Sequence, residues 1–236
     1  HLIIASLDQG IERYFYSSSA CVYNGEKQTD PDNPGLKEPD AYPALAEDGY
    51  GWEKLFSERM CRHFMEDFGL KTRVARFHNV YGPFGTYDGG REKAPAAICR
   101  KVIEAGINRK NEIVIWGDGH QTRSFMYIDD CIMGIQEIMY SDIIEPINLG
   151  SSEMVSINEL TDIVEDIAGY KLKRIYDLNA PKGVRGRNSD NTLILNYLGW
   201  EPSITLRTGI KKTFDWIKDQ MAAKASDKEK MDRFNR

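Results

Sequence analysis

Three short runs constrain this chain more than anything else in it: RYFYSSS (residues 13–19), TRVARFHNVYGP (72–83) and PINLGS (146–151). The first is rich in aromatic β-formers. The second is stopped by Gly82 and Pro83, and the third runs into Gly150. Each reads as a buried strand. Helical patterns lie between them. From Asp48 to Phe68 helix formers dominate, with apolar residues at Leu55, Phe56, Met60, Phe64 and Phe68 on a near-helical period. A second helix is predicted around Pro95–Ala105, and a third after Asp129 or Asp130, either of which can cap it. Strands alternating with helices imply an α/β fold, a mostly parallel sheet covered on both faces. In such sheets ligands sit beyond the carboxyl ends of strands. Cys21 lies just past one such end and His78–Asn79 just past another.

The remaining segments are read in the same way. Asn24–Asp48 holds Pro31, Pro34, Pro39 and Pro43 and is predicted to be mostly loop. EIVIWGDGHQTRSFMYIDD (112–130) reads as strand, Gly-Asp-Gly turn, strand. Ser156 with Glu159 forms a capping box for a helix with apolar Ile157, Leu160, Ile163, Val164 and Ile167. A last helix from about Leu206 turns Ile210, Phe214, Ile217 and Met221 inward, and the charged run KASDKEKMDRFNR after it is expected to fray.

Charge and cysteines narrow the function classes. Thirty-one Lys+Arg against 36 Asp+Glu leave a net charge of −5, which disfavours nonspecific nucleic-acid binding. No apolar run approaches the roughly 18 residues of a membrane span, and no signal peptide is visible. Cys21, Cys61, Cys99 and Cys131 are scattered without a CxxC pair. That argues against structural zinc and for reduced thiols in a cytoplasmic protein. Cys61, Cys99 and Cys131 fall on helical patterns and read as core. The opening HLIIASLDQG reads as the back half of a helix, as expected of the C-terminal part of a longer protein.

Chemistry enters with YGWEK, which sets Tyr50 and Lys54 four apart on one helix face. An ammonium one turn from a phenol makes it a better proton acceptor. A tyrosine so placed can take a proton from a substrate hydroxyl while a hydride leaves the same carbon. Alone the spacing is a weak signal, equally that of a solvated helix face. Cys21, in YSSSACVY, is by itself either a small buried hydrophobe or a reactive group.

Together, YSSSACVY, YGWEK, ARFHNVYGP, WGDGHQTRSFMYIDD and NLGS resemble, in order and over nearly the whole chain, the extended short-chain dehydrogenase/reductase family. That family includes nucleotide-sugar epimerases and dehydratases. Within it, HNVYGPFGTYDGGREKAPAAICRK and GVRGRNSDN are similar to the GDP-mannose 3,5-epimerases. The resemblance implies a Rossmann-like doubly wound parallel sheet with a smaller α/β substrate-binding domain. Residues 1–80 and about 124–150 would form part of the NAD-binding domain, and about 81–123 and 151–236 the nucleotide-sugar-binding domain. It implies NAD as cofactor, GDP-mannose or a related nucleotide-sugar as substrate, and a homodimer.

The resemblance also assigns roles. Tyr50, Lys54 and Ser19 would handle the C4 hydroxyl and the nicotinamide end of the cofactor. Cys21 and Lys93 would be the acid/base pair that moves protons at C5 and C3. Ser19, Ala20, Cys21, Asn79, Glu92, Lys93, Ala94, Lys101, Gln121, Thr122, Arg123 and Arg187 would hold the substrate, Arg187 at its diphosphate. The chemistry agrees. A ketone at C4 makes the C3 and C5 protons acidic, and inversion needs one group to remove a proton and another to deliver one from the opposite face. A thiol and a desolvated amine both exchange protons near neutral pH.

Two departures define the rivals. A 4,6-dehydratase should carry an Asp-Glu pair where Ala20 and Cys21 stand; a plain 4-epimerase needs no acid/base pair at all. The Gly-rich strand–helix turn that binds a dinucleotide pyrophosphate is absent from these 236 residues. It is expected upstream of His1; without it the chain would be a non-catalytic sugar-nucleotide-binding module.

Overall fold

The computed structural model describes residues 1–32, 35–180 and 183–234, with side-chain surroundings through residue 226; Pro34 of the predicted loop lies outside these. In chain order the main elements are α1 (Leu2–Asp8), β1 (Arg13–Ser19), α2 (Asp48–Phe68), β2 (Lys71–Phe77), β3 (Val80–Tyr81), α3 (Ala94–Ile107), β4 (Glu112–Trp116), β5 (Thr122–Ser124) and β6 (Met126–Tyr127). They continue with α4 (Ile128–Tyr140), β7 (Ile147–Leu149), β8 (Met154–Ser156), α5 (Ile157–Ala168), β9 (Lys173–Asp177), β10 (Gly186–Arg187), α6 (Thr192–Leu198) and α7 (Leu206–Phe234). Two compact units emerge: residues 1–80, 121–154 and 183–203 form the first, and 81–120, 155–182 and 204–236 the second. Residues 183–203 thus pack with the first unit, whereas the resemblance groups them with 151–236.

The first unit is built on a parallel sheet in the order β1-β2-β7. The central strand β2 is buried from Thr72 through Arg76, as expected of a parallel strand covered on both faces. One core cluster gathers Ala75, Ile147 and Leu149 of the sheet with Met126, Cys131, Ile138, Ile143 and Ile194. Helix α4 supplies Cys131 and Ile138 to it.

One register row carries polar side chains across all three strands: Ser18 pairs with Arg76, and Arg76 with Asn148. Glu58 of α2 lies against this row. Its carboxylate accepts from Ser18 Oγ at 2.5 Å and from Arg76 Nε and Nη2 at 3.0 and 2.7 Å. Helix α2 therefore buries Gly51, Leu55, Glu58 and Cys61, while Phe56 and Phe68, which share the apolar period with Leu55, are exposed. The true inward stripe passes through a glutamate, which an apolar count skips.

Other expectations meet mixed outcomes. Neither Asp129 nor Asp130 caps α4: both lie in its first turn, and the Asp130 carboxylate accepts instead from Ser203 N at 3.0 Å. The strands on either side of the Gly-Asp-Gly turn do not pair with each other. β5 pairs in parallel with β10 in the first unit; β4 pairs in parallel with β9 in the second, where no strand is predicted. The Ser156–Glu159 capping box forms, with bonds of 2.7 and 3.1 Å. In the second unit α7 buries Ile210, Phe214 and Ile217 as predicted, and it continues as helix through Phe234 where fraying is expected. Among the described residues no helix is long and apolar enough to cross a membrane.

Asn148 extends the polar row inward. Its Oδ1 accepts from Tyr23 Oη at 2.5 Å and from His78 Nε2 at 3.0 Å, while Nδ2 donates to the Leu36 and Asp190 carbonyls. His78 is fully buried, and burial holds its pKa down to about 3. The unfolded chain takes up this proton near pH 6.5 and the folded chain only near pH 3, so stability falls as pH drops through that window. Between pH 7 and pH 5 the loss from this residue is expected to be about 2 kcal/mol. Urea titrations at the two pH values check it, and His78→Gln is expected to remove that share of the difference.

Candidate active site

The site begins where β1 ends. Ser19 Oγ accepts from Cys21 N at 3.2 Å and starts a tight turn over Ala20–Val22. Ala20, Val22 and Tyr23 are buried, while Cys21 is only half-buried, its thiol free. The turn is held from behind by the start of α2: Glu47 N donates to the Cys21 carbonyl at 3.0 Å. The close approach requires Gly51, because a β-carbon there would collide with that same carbonyl oxygen. The glycine in YGWEK is thus the space that lets the helix carrying Tyr50 pack onto the turn carrying Cys21.

Tyr50 and Lys54 lie on one face of α2. The Lys54 ammonium donates to the Ser17 carbonyl at 2.9 Å and lies 5.0 and 5.5 Å from the Tyr16 and Tyr50 ring centroids. Tyr50 itself is 49% exposed. A cation beside a phenol at the carboxyl end of a parallel strand, with small serines around it, fits the ribose and ring of a nicotinamide nucleotide. This donor set has the chemistry such a group needs.

The Arg187 guanidinium faces three partners within this chain. Nε donates to Gln28 Oε1 at 2.7 Å, Nη2 pairs with Glu47 Oε2 at 2.7 Å, and Nη1 lies 3.7 Å from Cys21 Sγ. Gly186 makes this possible, since a β-carbon there would strike the Asp30 carbonyl. Arg185 N donates to the Gln28 carbonyl at 3.0 Å, fixing the strand alongside.

Arg123 is nearby. It donates to the Thr122 and Val184 carbonyls at 2.7 and 2.6 Å, and burial together with the charge of Arg187 pushes its pKa down to about 10. Thr122 Oγ1 donates to the Pro31 carbonyl, Gln121 is buried, and Asn79 Nδ2 donates to the Ser124 carbonyl at 3.0 Å. The first unit therefore brings Ser19, Ala20, Cys21, Arg187 and the start of α2 together, with Arg123 beside Arg187.

Lys93, Glu92, Ala94 and Lys101 belong to the second unit. Lys93 is the residue before α3 and is exposed, so it is not the desolvated amine expected. The reason is local: it stands where the Gly-rich loop enters the helix, with its carbonyl accepting from Ala97 N. Glu92 ties the loop before α3 to the helix. It accepts from Arg100 Nη2 at 2.9 Å and from Gly90 N at 2.7 Å. Ala94 is the first residue of α3. Lys101 Nζ donates to the Val114 carbonyl at 2.9 Å and lies 5.5 Å from the Trp116 ring centroid.

Four residues that hold the first-unit site were not singled out from sequence: Gln28, Glu47, Gly51 and Glu58. Gly51 carried a signal, a glycine inside a helix pattern. Gln28 and Glu47 lie in a Pro-rich stretch whose path no periodicity reveals.

Comparison with known proteins accords with this geometry. A family model, the NAD dependent epimerase/dehydratase family, matches residues 1–150. GDP-mannose 3,5-epimerase of Arabidopsis thaliana is 50% identical over 230 residues, 96% of this chain and 60% of that protein. GDP-mannose 3,5-epimerase 1 of Oryza sativa subsp. indica is 49% identical over 94% of this chain and 57% of its own. The chain thus spans about 60% of the length of these curated relatives. A crystal structure of UDP-glucose 4-epimerase from Thermotoga maritima, with UDP-glucose, superposes with a TM-score of 0.80 at 25% identity, over 93% of this chain and 68% of that one. The parallel sheet, the strand-end site and the matched family model agree, and the chain belongs to the NAD dependent epimerase/dehydratase family.

Proposed function

We propose that this chain is the substrate-facing part of an NAD-using enzyme that epimerises GDP-mannose at C3 and C5, giving GDP-L-galactose through a transient 4-keto sugar. The observation that carries the reading is the half-buried thiol of Cys21, two residues beyond the end of β1 and backed by a guanidinium. A 4-epimerase has no use for an acid/base there, and a dehydratase would place carboxylates there. The half identity to GDP-mannose 3,5-epimerases supports the substrate.

When bound, the nicotinamide ring accepts a hydride from C4 and later returns it, so the cofactor is not consumed. In this chain Tyr50 takes the C4 hydroxyl proton, Ser19 shares that hydroxyl's hydrogen bond, and Lys54 holds the nicotinamide ribose and the position of Tyr50. Cys21 and Lys93 then move protons at C5 and C3. The guanidinium of Arg123, half-buried beside that of Arg187, suits the oxygens of a diphosphate.

The first unit serves as part of the NAD-binding domain, and the second as part of the nucleotide-sugar-binding domain. The exposed Trp52 and Phe56 on α2 support a homodimer, and the four free thiols a cytoplasmic setting.

Tyr50→Phe in the intact protein is expected to lower turnover by at least about a hundredfold, while sugar-nucleotide affinity stays within a few-fold. Steady-state rates and calorimetry check this; a wild-type rate would exclude the dehydrogenase-type first step. Deuterium uptake from heavy water at C3 and C5, followed by NMR, tests the acid/base pair. Cys21→Ala is expected still to form the 4-keto sugar but to exchange no proton at the sugar carbons. Lys93→Ala is expected to exchange without completing inversion. Normal uptake at both carbons with Cys21 and Lys93 both replaced would exclude them as the acid/base.

A further inference from the structure

Cys21 is tied down at two points that lead to one residue. Its carbonyl accepts from Glu47 N at 3.0 Å, and its sulfur lies 3.7 Å from Arg187 Nη1, whose other terminal nitrogen pairs with Glu47 Oε2 at 2.7 Å. The third corner of the guanidinium, Nε, is held by Gln28 at 2.7 Å. Gln28 is in turn bound through its own carbonyl to the strand that bears Arg187. The guanidinium is therefore fixed through Nε and Nη2 and presents Nη1 to the sulfur.

We propose that Arg187, held by Glu47 and Gln28, is a positioning residue for Cys21: it fixes the sulfur's rotamer and balances the negative charge the sulfur carries while its proton is on the sugar or in solvent. This rests on the reading of Cys21 as an acid/base. In that step a C–H bond breaks, its electron pair passes into the enolate, and an S–H bond forms; delivery runs the same exchange in reverse. The sulfur is an anion before it takes the proton and again after it delivers one, and Nη1 is the cation beside it in those states. A hydrophobic wall in place of Arg187 would bury that anion without compensation.

The test needs neither substrate nor cofactor. Iodoacetamide is neutral and is attacked by the anionic sulfur, which displaces iodide, and mass spectrometry of the Cys21 peptide gives its rate. Cys61, Cys99 and Cys131 are buried, so their protection in the same sample reports that each variant is folded. At pH 7.5, Arg187→Gln is expected to slow Cys21 alkylation about tenfold, and Arg187→Lys to recover most of it. Were Arg187 mere packing, its loss would open the thiol to reagent and speed alkylation. An equal or faster rate in Arg187→Gln would therefore overturn the proposal.

Should Arg187→Gln lose the protection of the three buried cysteines, Gln28→Ala loosens the same guanidinium at Nε. It is expected to slow alkylation by about threefold, and an unchanged or faster rate would overturn the proposal equally. Slowed alkylation in a protein that fails the deuterium-exchange test would leave the clamp standing and remove the epimerase reading. The opposite pair of results would do the reverse.

Discussion

The buried carboxylate of Glu58 is the interaction on which the rest of the first unit depends. It reaches from α2 to β1 through Ser18 and to β2 through both Nε and Nη2 of Arg76. Arg76 passes the connection on by donating Nη1 to the Glu38 carbonyl at 2.7 Å, and Glu38 Oε1 accepts from Asn148 N on β7. Three strands and the helix are thus tied at one level, a single residue before each strand reaches the site. Burial works against the charge on Arg76, but the hydrogen bonds and charge of Glu58 outweigh it and hold the guanidinium pKa above its ordinary value. Removing one partner of such a buried pair costs about 3–5 kcal/mol, a large share of a domain's net stability.

From that level the site follows in short steps. Ser19 is the next residue of β1 and its hydroxyl starts the turn that exposes Cys21. Gly51, two turns before Glu58 on α2, lets the helix approach until Glu47 reaches the Cys21 carbonyl. Tyr50 and Lys54 ride on the same helix, so the pinning of α2 sets them against the strand end as well. The Cys21 sulfur and the Tyr50 phenol are placed by one helix.

The parallel architecture was legible because it rests on runs that physics confines to few conformations. RYFYSSS, TRVARF and PINLGS have no other comfortable setting than a covered sheet, and the Ser156–Glu159 box marks its helix start by local bonding alone. What stayed hidden depends on contacts distant in sequence. Glu58 reads as a solvated residue until Arg76 and Ser18 are placed beside it. β9 is short and mostly exposed, and becomes a strand by pairing with β4, which runs into the Gly-Asp-Gly turn. Arg187 was found as a candidate, but its partners Gln28 and Glu47 lie 159 and 140 residues away along the chain. Lys93 was legible only through resemblance, because an exposed lysine before a helix has no distinguishing pattern of its own.

Amide hydrogen exchange in Glu58→Gln tests the central dependence most directly. A glutamine has one acceptor oxygen where the carboxylate has two, and its NH2 would face the Arg76 donors, so the row across β1, β2 and β7 should loosen while the fold persists. The account expects faster exchange at the amides of Ser19–Tyr23 and Asn148–Leu149, with α3 and α5 of the second unit unchanged. Exchange at Ser19–Tyr23 identical to that of the unaltered chain would contradict it.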